Sequence, residues 1–107
     1  MKKLKVYIAA PYTYPDETDN TLRALEFAEV LLRRGYIPLV PHLAHFWDSI
    51  YQHPYKVWTE IGLALLEGAD LVMRLPGYSP GADAEIRRAH ELNKRVIYVK
   101  GVRICKL

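Results

Sequence analysis

The sequence predicts a small α/β domain with a mostly parallel four-stranded sheet in the strand order 2-1-3-4. Four short apolar runs rich in strand-forming residues alternate with segments whose apolar residues recur at helical spacing. This alternation implies right-handed crossovers and therefore parallel strands. Pro38, in the second run, lacks the N–H that a central strand needs, which places that strand at an edge. The length of 107 residues fits a single domain over 1–107.

The first part of the chain predicts two strands with a helix between them. "LKVYIAA" (4–10) is a buried strand that Pro11 ends. A polar loop follows, in which four residues compete for the helix N-cap: Asp16, Thr18, Asp19 and Asn20. The apolar residues at helical spacing are Leu22, Leu25, Ala28 and Leu32, with Ala24 and Leu31 beside them. Arg33, Arg34 and Gly35 close the helix, and "YIPLVP" (36–41) is the second strand.

The second part of the chain predicts two further strands and two further helices. "HLAHFWDSIYQHPY" (42–55) is aromatic and reads as irregular, and a helix then begins at Pro54 or Tyr55 and stops at Gly68. "ADLVMRLP" (69–76) is the third strand and "GYSPG" (77–81) is a loop. "ADAEIRRAHELN" is a helix that directs Ala82, Ile86 and Ala89 inward and ends near Asn93. "RVIYV" (95–99) is the fourth strand.

Composition and charge exclude several classes of protein. The net charge is only +3 and the basic residues are scattered, so we expect no nucleic-acid polymer as a partner. No apolar run approaches the roughly 20 residues that span a membrane, and the apolar run at the start is too short for a signal peptide. The single Cys105 excludes an internal disulfide and favours a cytoplasmic setting. One Gln and two Asn, a low content of thermolabile amides, hint at a thermophile.

The predicted sheet places a ligand crevice between strands 1 and 3. Ligands of such sheets bind at the carboxyl ends of the strands, where the strand order reverses. The loops "APYTYPD" and "GYSPGADAE" are expected to meet there. The helix that begins near Gly81 points its N-terminus into the crevice, where N–H groups and the helix dipole favour an anion such as a phosphate. Ser79 adds a hydroxyl, and the same surroundings are expected to keep Glu85 ionised.

Glu85 has two interpretations on spacing alone. An acidic side chain near a helix start is commonly solvated and only slightly stabilises the helix. A carboxylate held ionised in a crevice can instead attack an electrophilic carbon and form an ester that a second acceptor opens. Sugars suit this chemistry, because the anomeric carbon develops oxocarbenium character that a carboxylate stabilises.

Three segments, in order and spacing, resemble the nucleoside 2-deoxyribosyltransferase-like superfamily: "VYIAAPYT", "GYIPLVPHLAHFW" and "LLEGADLVMRLPGYSPGADAEIRRAHELNKRVIY". This superfamily includes the deoxyribosyltransferases, the 2′-deoxynucleoside 5′-phosphate N-hydrolases and small relatives of about this length. The resemblance covers nearly the whole chain. It implies a flavodoxin-like or Rossmann-like three-layer sandwich.

The resemblance also implies roles for individual residues. Glu85 matches the nucleophile, and Tyr7 matches a tyrosine near the end of strand 1 that contacts this glutamate or the sugar. Ser79 matches a position that is Asp in the nucleoside transferases. In the nucleotide hydrolases it is Ser and helps to hold the 5′-phosphate. Ser79 and Gly81 therefore imply a phosphorylated ligand.

Gly62 departs from the superfamily pattern. It stands eight positions before Asp70, where relatives usually carry an Asp that contacts the sugar or helps to protonate the leaving base. Glu60 and Asp83 are the nearby acids. Glu60 lies two residues from Gly62, and Asp83 lies two residues from Glu85. Two residues turn a helix by about 200°, so both acids are expected to face elsewhere.

Other side chains near the crevice are candidates for ligand contacts. Ala10, Pro11 and Tyr12 after strand 1, with His45, are expected to bind substrate, and Tyr12 and Tyr14 either stack on a base or pack on the fold. The metal interpretation rests on His42, His45, His53 and Asp48 but lacks an obvious third close ligand, so no metal and no cofactor are expected. Arg74 faces a phosphate or pairs with Asp70, and Arg87 and Arg88 form a solvated helix face.

Aromatic residues crowd the middle of the chain: Trp47, Tyr51, Tyr55 and Trp58. They suit a base-stacking wall or a subunit interface, and a homodimer or higher homo-oligomer is expected.

Three functions follow. The first is cleavage or transfer of the N-glycosidic bond of a nucleoside 5′-monophosphate, 2′-deoxy or not, through a covalent Glu85 intermediate. The second is nucleotide binding without turnover, because of Gly62. The third is protein interaction through the aromatic segment 46–58.

Overall fold

Parallel strands with helices crossing between them form the structure, a computed structural model that describes residues 2–100. The strands are β1 Lys5–Ala9, β2 Ile37–Leu39, β3 Leu71–Arg74 and β4 Arg95–Tyr98. The helices are α1 Glu17–Arg33, α2 Ala44–Ile50, α3 Tyr55–Glu67 and α4 Pro80–Glu91, and a 3-10 turn, Pro41–Leu43, precedes α2. The sheet order is β2-β1-β3-β4 and every pairing in it is parallel, so the predicted fold class and order are confirmed. Cys105 lies outside the described residues.

The alternation of side chains along β1 decides which of them reach each face of the sheet. Val6 and Ile8 pack on one face with residues of α1, whereas Tyr7 and Ala9 pack on the other face with residues of α3 and α4. All four side chains are fully buried. Tyr7 is thus a core residue whose hydroxyl is directed toward α3 and α4.

Helix α1 does not pack on the sheet through all the apolar residues that recur at helical spacing. Asp16 takes the N-cap, and its carboxylate accepts from the N–H groups of two residues in the first turn at 2.8 and 3.2 Å. Leu22 and Leu32 are 54% and 53% exposed, so their expected inward position is wrong. Ala28 of the predicted set is buried, as are Ala24 and Leu31 beside it, and the small alanines let the helix lie close to the sheet.

The segment 42–55 is more regular than expected. It contains most of the 3-10 turn and all of the seven-residue α2, so the prediction of an irregular stretch is wrong over 42–50. No side chain caps the start of α2, and therefore the sequence carries no start signal for it. Asp48 Oδ1 accepts from Trp58 Nε1 at 2.8 Å and from the His53 N–H at 3.0 Å, which ties α2 to α3.

Strand β2 is short and lies at one edge of the sheet, as Pro38 predicts. The Ile37 N–H donates to the Leu4 carbonyl at 2.9 Å. Because successive N–H groups of a strand point to opposite sides, the nitrogen of Pro38 points away from β1.

Helix α4 begins at the carboxyl end of β3 and directs its first turns to the point where the strand order reverses. Ala82, Ile86 and Ala89 are buried as predicted. Asn93, with φ of 58°, follows the helix end in the left-handed conformation. In the part of the chain that the structure describes, no helix is both long and apolar enough to cross a bilayer.

Candidate functional site

A cleft of about 580 Å³ lies where the loops after β1 and β3 meet. Its walls come from the β1–α1 loop, the 3-10 turn, one face of α3 and the first turns of α4. Most of the lining is aromatic or aliphatic, and the aromatic members are Tyr12, Tyr14, His42, Tyr55, Trp58 and Tyr78. This size and character suit an organic ligand with a planar ring system.

Tyr7 and Glu85 meet at the bottom of the cleft. The Tyr7 hydroxyl, on the buried side of β1, donates a hydrogen bond to Glu85 Oε2 from the second turn of α4. The two residues are 78 positions apart in sequence, so only the packing of α4 on β1 brings them together. Glu85 borders the buried stripe of its helix and is partly accessible, which leaves its carboxylate at the cleft surface.

Burial dominates the electrostatics of this pair. It raises the pKa of Glu85 to about 7, against the opposing effects of the Tyr7 hydrogen bond and the Arg74 charge. Glu85 is therefore only partly ionised near neutral pH, because the low-polarity surroundings favour the neutral acid more than the sequence alone indicates. Burial, followed by the Glu85 charge, also raises the pKa of Tyr7, so its hydroxyl keeps its proton and acts as the donor.

Gly62 faces the pair from α3. A Cβ at this position would lie 3.4 Å from the Tyr7 hydroxyl oxygen and 3.9 Å from Glu85 Oε2. Glu60, one of the two nearby acids, is exposed and lies 4.0 Å from the Lys56 ammonium. Of the described residues that line the cleft, Glu85 alone is acidic.

Arg74 fixes the loop between β3 and α4. Its buried guanidinium donates to the carbonyls of Leu75 and Gly77 and pairs with Asp83 at 3.0 Å. The expected pairing with Asp70 is wrong, because Asp70 accepts from the N–H of Lys5 at the opposite end of the strands. Asp83, the second nearby acid, is engaged by this pairing.

Ser79 and Gly81 lie together at the start of α4 and line the cleft. Ser79 is the N-cap, and its hydroxyl oxygen accepts from the Ala82 N–H at 3.0 Å. Its hydroxyl hydrogen stays available for a ligand. Pro80 has no N–H, and the Gly81 N–H has no acceptor within the helix. A Cβ on Gly81 would lie 3.7 Å from the Tyr55 hydroxyl, which therefore lies close to this turn.

The β1–α1 loop contributes some of its predicted contacts and not others. Ala10 and Tyr12 line the cleft. Pro11 does not belong to the lining; its carbonyl accepts from His42 Nε2 at 2.9 Å. His45 stands behind Tyr12 and shares a hydrogen bond of 3.1 Å with its hydroxyl. Pro11 and His45 thus lie outside the lining of the cleft, and their predicted contacts with substrate stay predictions.

The histidines considered as metal ligands have other partners. His42 is buried beside the cleft, and burial lowers its pKa, so the ring is neutral. His53 contacts the edge of Trp58. Over residues 2–100, no three His, Cys, Asp or Glu side chains are grouped to hold a metal ion.

Two parts of the site had no clear sequence signal. Trp58 lines the cleft with its indole N–H held by Asp48, a contact ten residues apart that spans two helices. Arg88, expected on a solvated face, is only half exposed, lines the cleft and lies 3.9 Å from Glu67 of α3. Its position three residues after Glu85 on the same helix could have indicated this.

Comparison with known proteins identifies a family and a fold. The family model described as a domain of unknown function (DUF7768) matches residues 4–99. Among solved structures, the chain is similar to a 2-deoxyribosyltransferase from the psychrotolerant bacterium Bacillus psychrosaccharolyticus. The TM-score is 0.67 at 16% identity, covering 88% of this chain and 70% of that chain. No curated protein sequence matches. At this identity the likeness establishes a deoxyribosyltransferase-like, flavodoxin-like fold.

Proposed function

Because the chain belongs to the family described as a domain of unknown function (DUF7768), we propose its activity from the site itself: cleavage or transfer of the N-glycosidic bond of a nucleoside 5′-monophosphate. One observation carries the proposal. The buried Tyr7 hydroxyl holds the Glu85 carboxylate at the bottom of a cleft large enough for a nucleotide. The similar solved structure is that of a 2-deoxyribosyltransferase, which agrees with a glycosyl-transfer reaction.

In the proposed reaction Glu85 is the nucleophile. Its ionised carboxylate attacks C1′ and forms a C–O ester bond while the C1′–N bond breaks. The electron pair of the broken bond leaves with the base, which takes up a proton from water. A water molecule or a second base then attacks C1′, and the ester electron pair returns to Glu85. Tyr7 donates to Oε2 throughout and orients the carboxylate.

The start of α4 is the proposed phosphate site. The Ser79 hydroxyl and the Gly81 N–H are the donors that the helix start leaves available. The dipole of α4 adds favourable electrostatics for an anion at this end. Aromatic side chains on the opposite walls, Tyr55 and Trp58 among them, offer faces and edges for the base.

Nucleotide binding without turnover is the second candidate. It is favoured by Gly62, because no second carboxylate that could protonate the departing base lines the cleft among residues 2–100. In that case Glu85 accepts a hydrogen bond from a ribose hydroxyl and never attacks.

The test is a panel of ribo- and deoxyribonucleoside 5′-monophosphates with released base as the readout. Glu85→Gln keeps the shape and the Tyr7 contact but removes the nucleophile, and Glu60→Gln is the matched control on an exposed glutamate. We expect release by the native chain and the control and none by Glu85→Gln. Nucleotide binding detected by thermal shift, without base release from any member of the panel, would instead support the second candidate.

A homodimer is also proposed. Helix α2 and the residue after it carry an exposed apolar surface made of Phe46, Trp47, Ile50 and Tyr51, each more than half exposed. Patches of this kind mark contact sites. Light scattering after size-exclusion chromatography is expected to give a dimer that Phe46→Glu converts to a monomer. A monomeric native chain at all concentrations would contradict the proposal.

A cytoplasmic setting and a thermophilic source stay predictions from composition. The thermophilic source is tested by calorimetry. A midpoint within the mesophilic range of about 45–65 °C would speak against it.

A further inference from the structure

The cleft offers a departing base very little acid. Among residues 2–100, Glu85 is the one carboxyl group in its lining. In the proposed reaction Glu85 is the nucleophile, so it does not also give a proton to the base. The Tyr7 hydroxyl beside it already donates to Oε2 and keeps its proton. The two groups nearest the proposed chemistry are therefore both committed.

The other ionisable side chains of the lining are poor proton donors. His42 donates its Nε2–H to the Pro11 carbonyl at 2.9 Å, and burial keeps the ring neutral, so Nδ1 carries no proton to give. The Tyr12 hydroxyl shares its hydrogen with His45, and burial raises the pKa of Tyr12. Phenols and guanidinium groups are in any case far weaker acids than a carboxylic acid. The described lining thus lacks a general acid, a group that is worth about 10²–10⁴-fold in rate.

A base that already carries a positive charge needs no such acid. When the C1′–N bond of a neutral base breaks, the electron pair goes to the ring, which leaves as an anion unless a proton reaches it. When the ring is a cation, such as a pyridinium or an N7-alkylated purine, the same electron pair neutralises the charge and a neutral molecule leaves. A cleft without a general acid is matched to the second kind of substrate.

The walls of the cleft also suit a cationic ring. The faces of aromatic side chains attract cations, and the indole of Trp58 is the type that does so most strongly. The tyrosines that line the cleft with it are Tyr12, Tyr14, Tyr55 and Tyr78. Arg88, the one cationic side chain of the described lining, is paired with Glu91 at 3.1 Å and with Glu67 at 3.9 Å.

A cationic ring acts on the nucleophile as well. Burial raises the pKa of Glu85, so the free chain holds part of its Glu85 as the neutral acid near pH 7. A positive charge bound nearby favours the ionised form and so increases the share of carboxylate that can attack. A neutral base gives no such help.

We propose that the substrates of this cleft are nucleotides whose base carries a positive charge, of the pyridinium or N7-alkylated purine class. The inference rests on the proposed function, because it keeps Glu85 as the nucleophile. The carboxylate forms a C–O bond to C1′ while the C1′–N bond breaks, and the electron pair of that bond neutralises the ring without any proton transfer. Water then attacks C1′, the ester electron pair returns to Glu85, and the proton of the water goes to solvent. Neutral nucleotides are slow substrates, because their base must take its proton from water.

Two matched pairs of probes give the first test. Nicotinamide mononucleotide has a pyridinium ring, and its reduced dihydropyridine form has nearly the same shape without the charge. N7-methylguanosine 5′-monophosphate and GMP are the second pair. Released base is measured for the native chain, for Glu85→Gln and for the exposed control Glu60→Gln. For the native chain and the control, kcat/KM on each charged probe should exceed that on its neutral partner by about 100-fold or more. A ratio below about tenfold, or no release from either charged probe, overturns the inference.

Gly62→Asp gives the second test, because it adds the acid that the cleft lacks. A Cβ at this position lies 3.9 Å from Glu85 Oε2, so the new carboxyl group lies beside Glu85, and two like charges so close keep one of the pair protonated. The ratio of charged to neutral kcat/KM should fall at least about tenfold. Gly62→Asn has the same shape without an acidic proton and should keep the native ratio. Comparing ratios between chains cancels the greater intrinsic reactivity of the charged rings. A folded Gly62→Asp chain with the native ratio overturns the inference.

The two proposals fail in different ways. Release from the charged probes that persists in Glu85→Gln refutes the proposed function and the inference with it. Release that depends on Glu85 but is equally fast from the neutral partners leaves the proposed function in place and refutes the inference. If Gly62→Asp does not fold, the probe pairs on the native chain decide alone.

Discussion

Replacing Glu85 with Gln is expected to stabilise the protein, and to do so increasingly as pH rises. Burial raises the pKa of Glu85 from 4.5 to about 7 in the folded state. A tenfold change in proton affinity is worth about 1.4 kcal/mol, so ionising Glu85 costs the folded state about 3 kcal/mol relative to the unfolded chain. The cost is small below pH 4.5, grows between pH 4.5 and about 7, and is constant above. Gln resembles the protonated acid and does not ionise, so the variant lacks this cost.

Urea denaturation followed by tryptophan fluorescence measures this effect. The stability advantage of Glu85→Gln over the native chain should grow by about 2 kcal/mol between pH 5 and pH 8. Glu26→Gln, on the exposed side of α1, is the control and should show no such growth. An advantage that is equal at both pH values would refute the reasoning, because it would mean that Glu85 is as well solvated in the folded chain as in the unfolded one.

Three further predictions concern Tyr7 and two residues that hold the loops beside the cleft. Tyr7→Phe removes a hydrogen bond that lowers the pKa of Glu85. The acid limb of the kcat/KM profile, expected near pH 7 in the native chain, should therefore move to higher pH, and an unmoved limb contradicts this. Gly77→Ala forces a side chain into φ of 119° and against Pro11, and should lower the unfolding free energy by about 1–3 kcal/mol in urea. Asn20→Ala removes side-chain hydrogen bonds of 3.0 and 2.8 Å to two carbonyls of the β1–α1 loop. Amide hydrogen exchange in that loop should accelerate, and unchanged exchange would show that other contacts hold the loop.

The fold was largely predictable because its signals are local. Each strand is a short apolar run, and Pro38 alone excludes the second strand from the centre of the sheet. The inward face of α1 was not predictable, since two overlapping apolar stripes run along it and only packing on β1 selects the one with Ala24 and Ala28. Helix α2 lacks a cap and therefore lacks a sequence signal for its start.

The candidate site was predictable in part. The strand order and the resemblance together indicated that Tyr7, Glu85, Ser79 and Gly81 share one crevice. The last three line the cleft, and Tyr7 contacts Glu85 from beneath it. The raised pKa of Glu85 was not predictable, because it depends on how closely the packed elements enclose the carboxylate. The Arg74–Asp83 pair was missed for a similar reason: the turn between them, and not their spacing, sets the contact.

The edge strand β2 has a consequence for the behaviour of the protein at high concentration. An exposed sheet edge can recruit a strand from another molecule and seed aggregation. In this three-residue strand the flanking N–H groups of Ile37 and Leu39 point toward β1, and the outward position between them is Pro38, which has no hydrogen to donate. An incoming strand finds no donor within β2 to pair with, so this side of the sheet resists fibril-like growth. Pro38→Val would restore the donor and add a residue that favours strands, so the edge could then pair with a strand of another molecule.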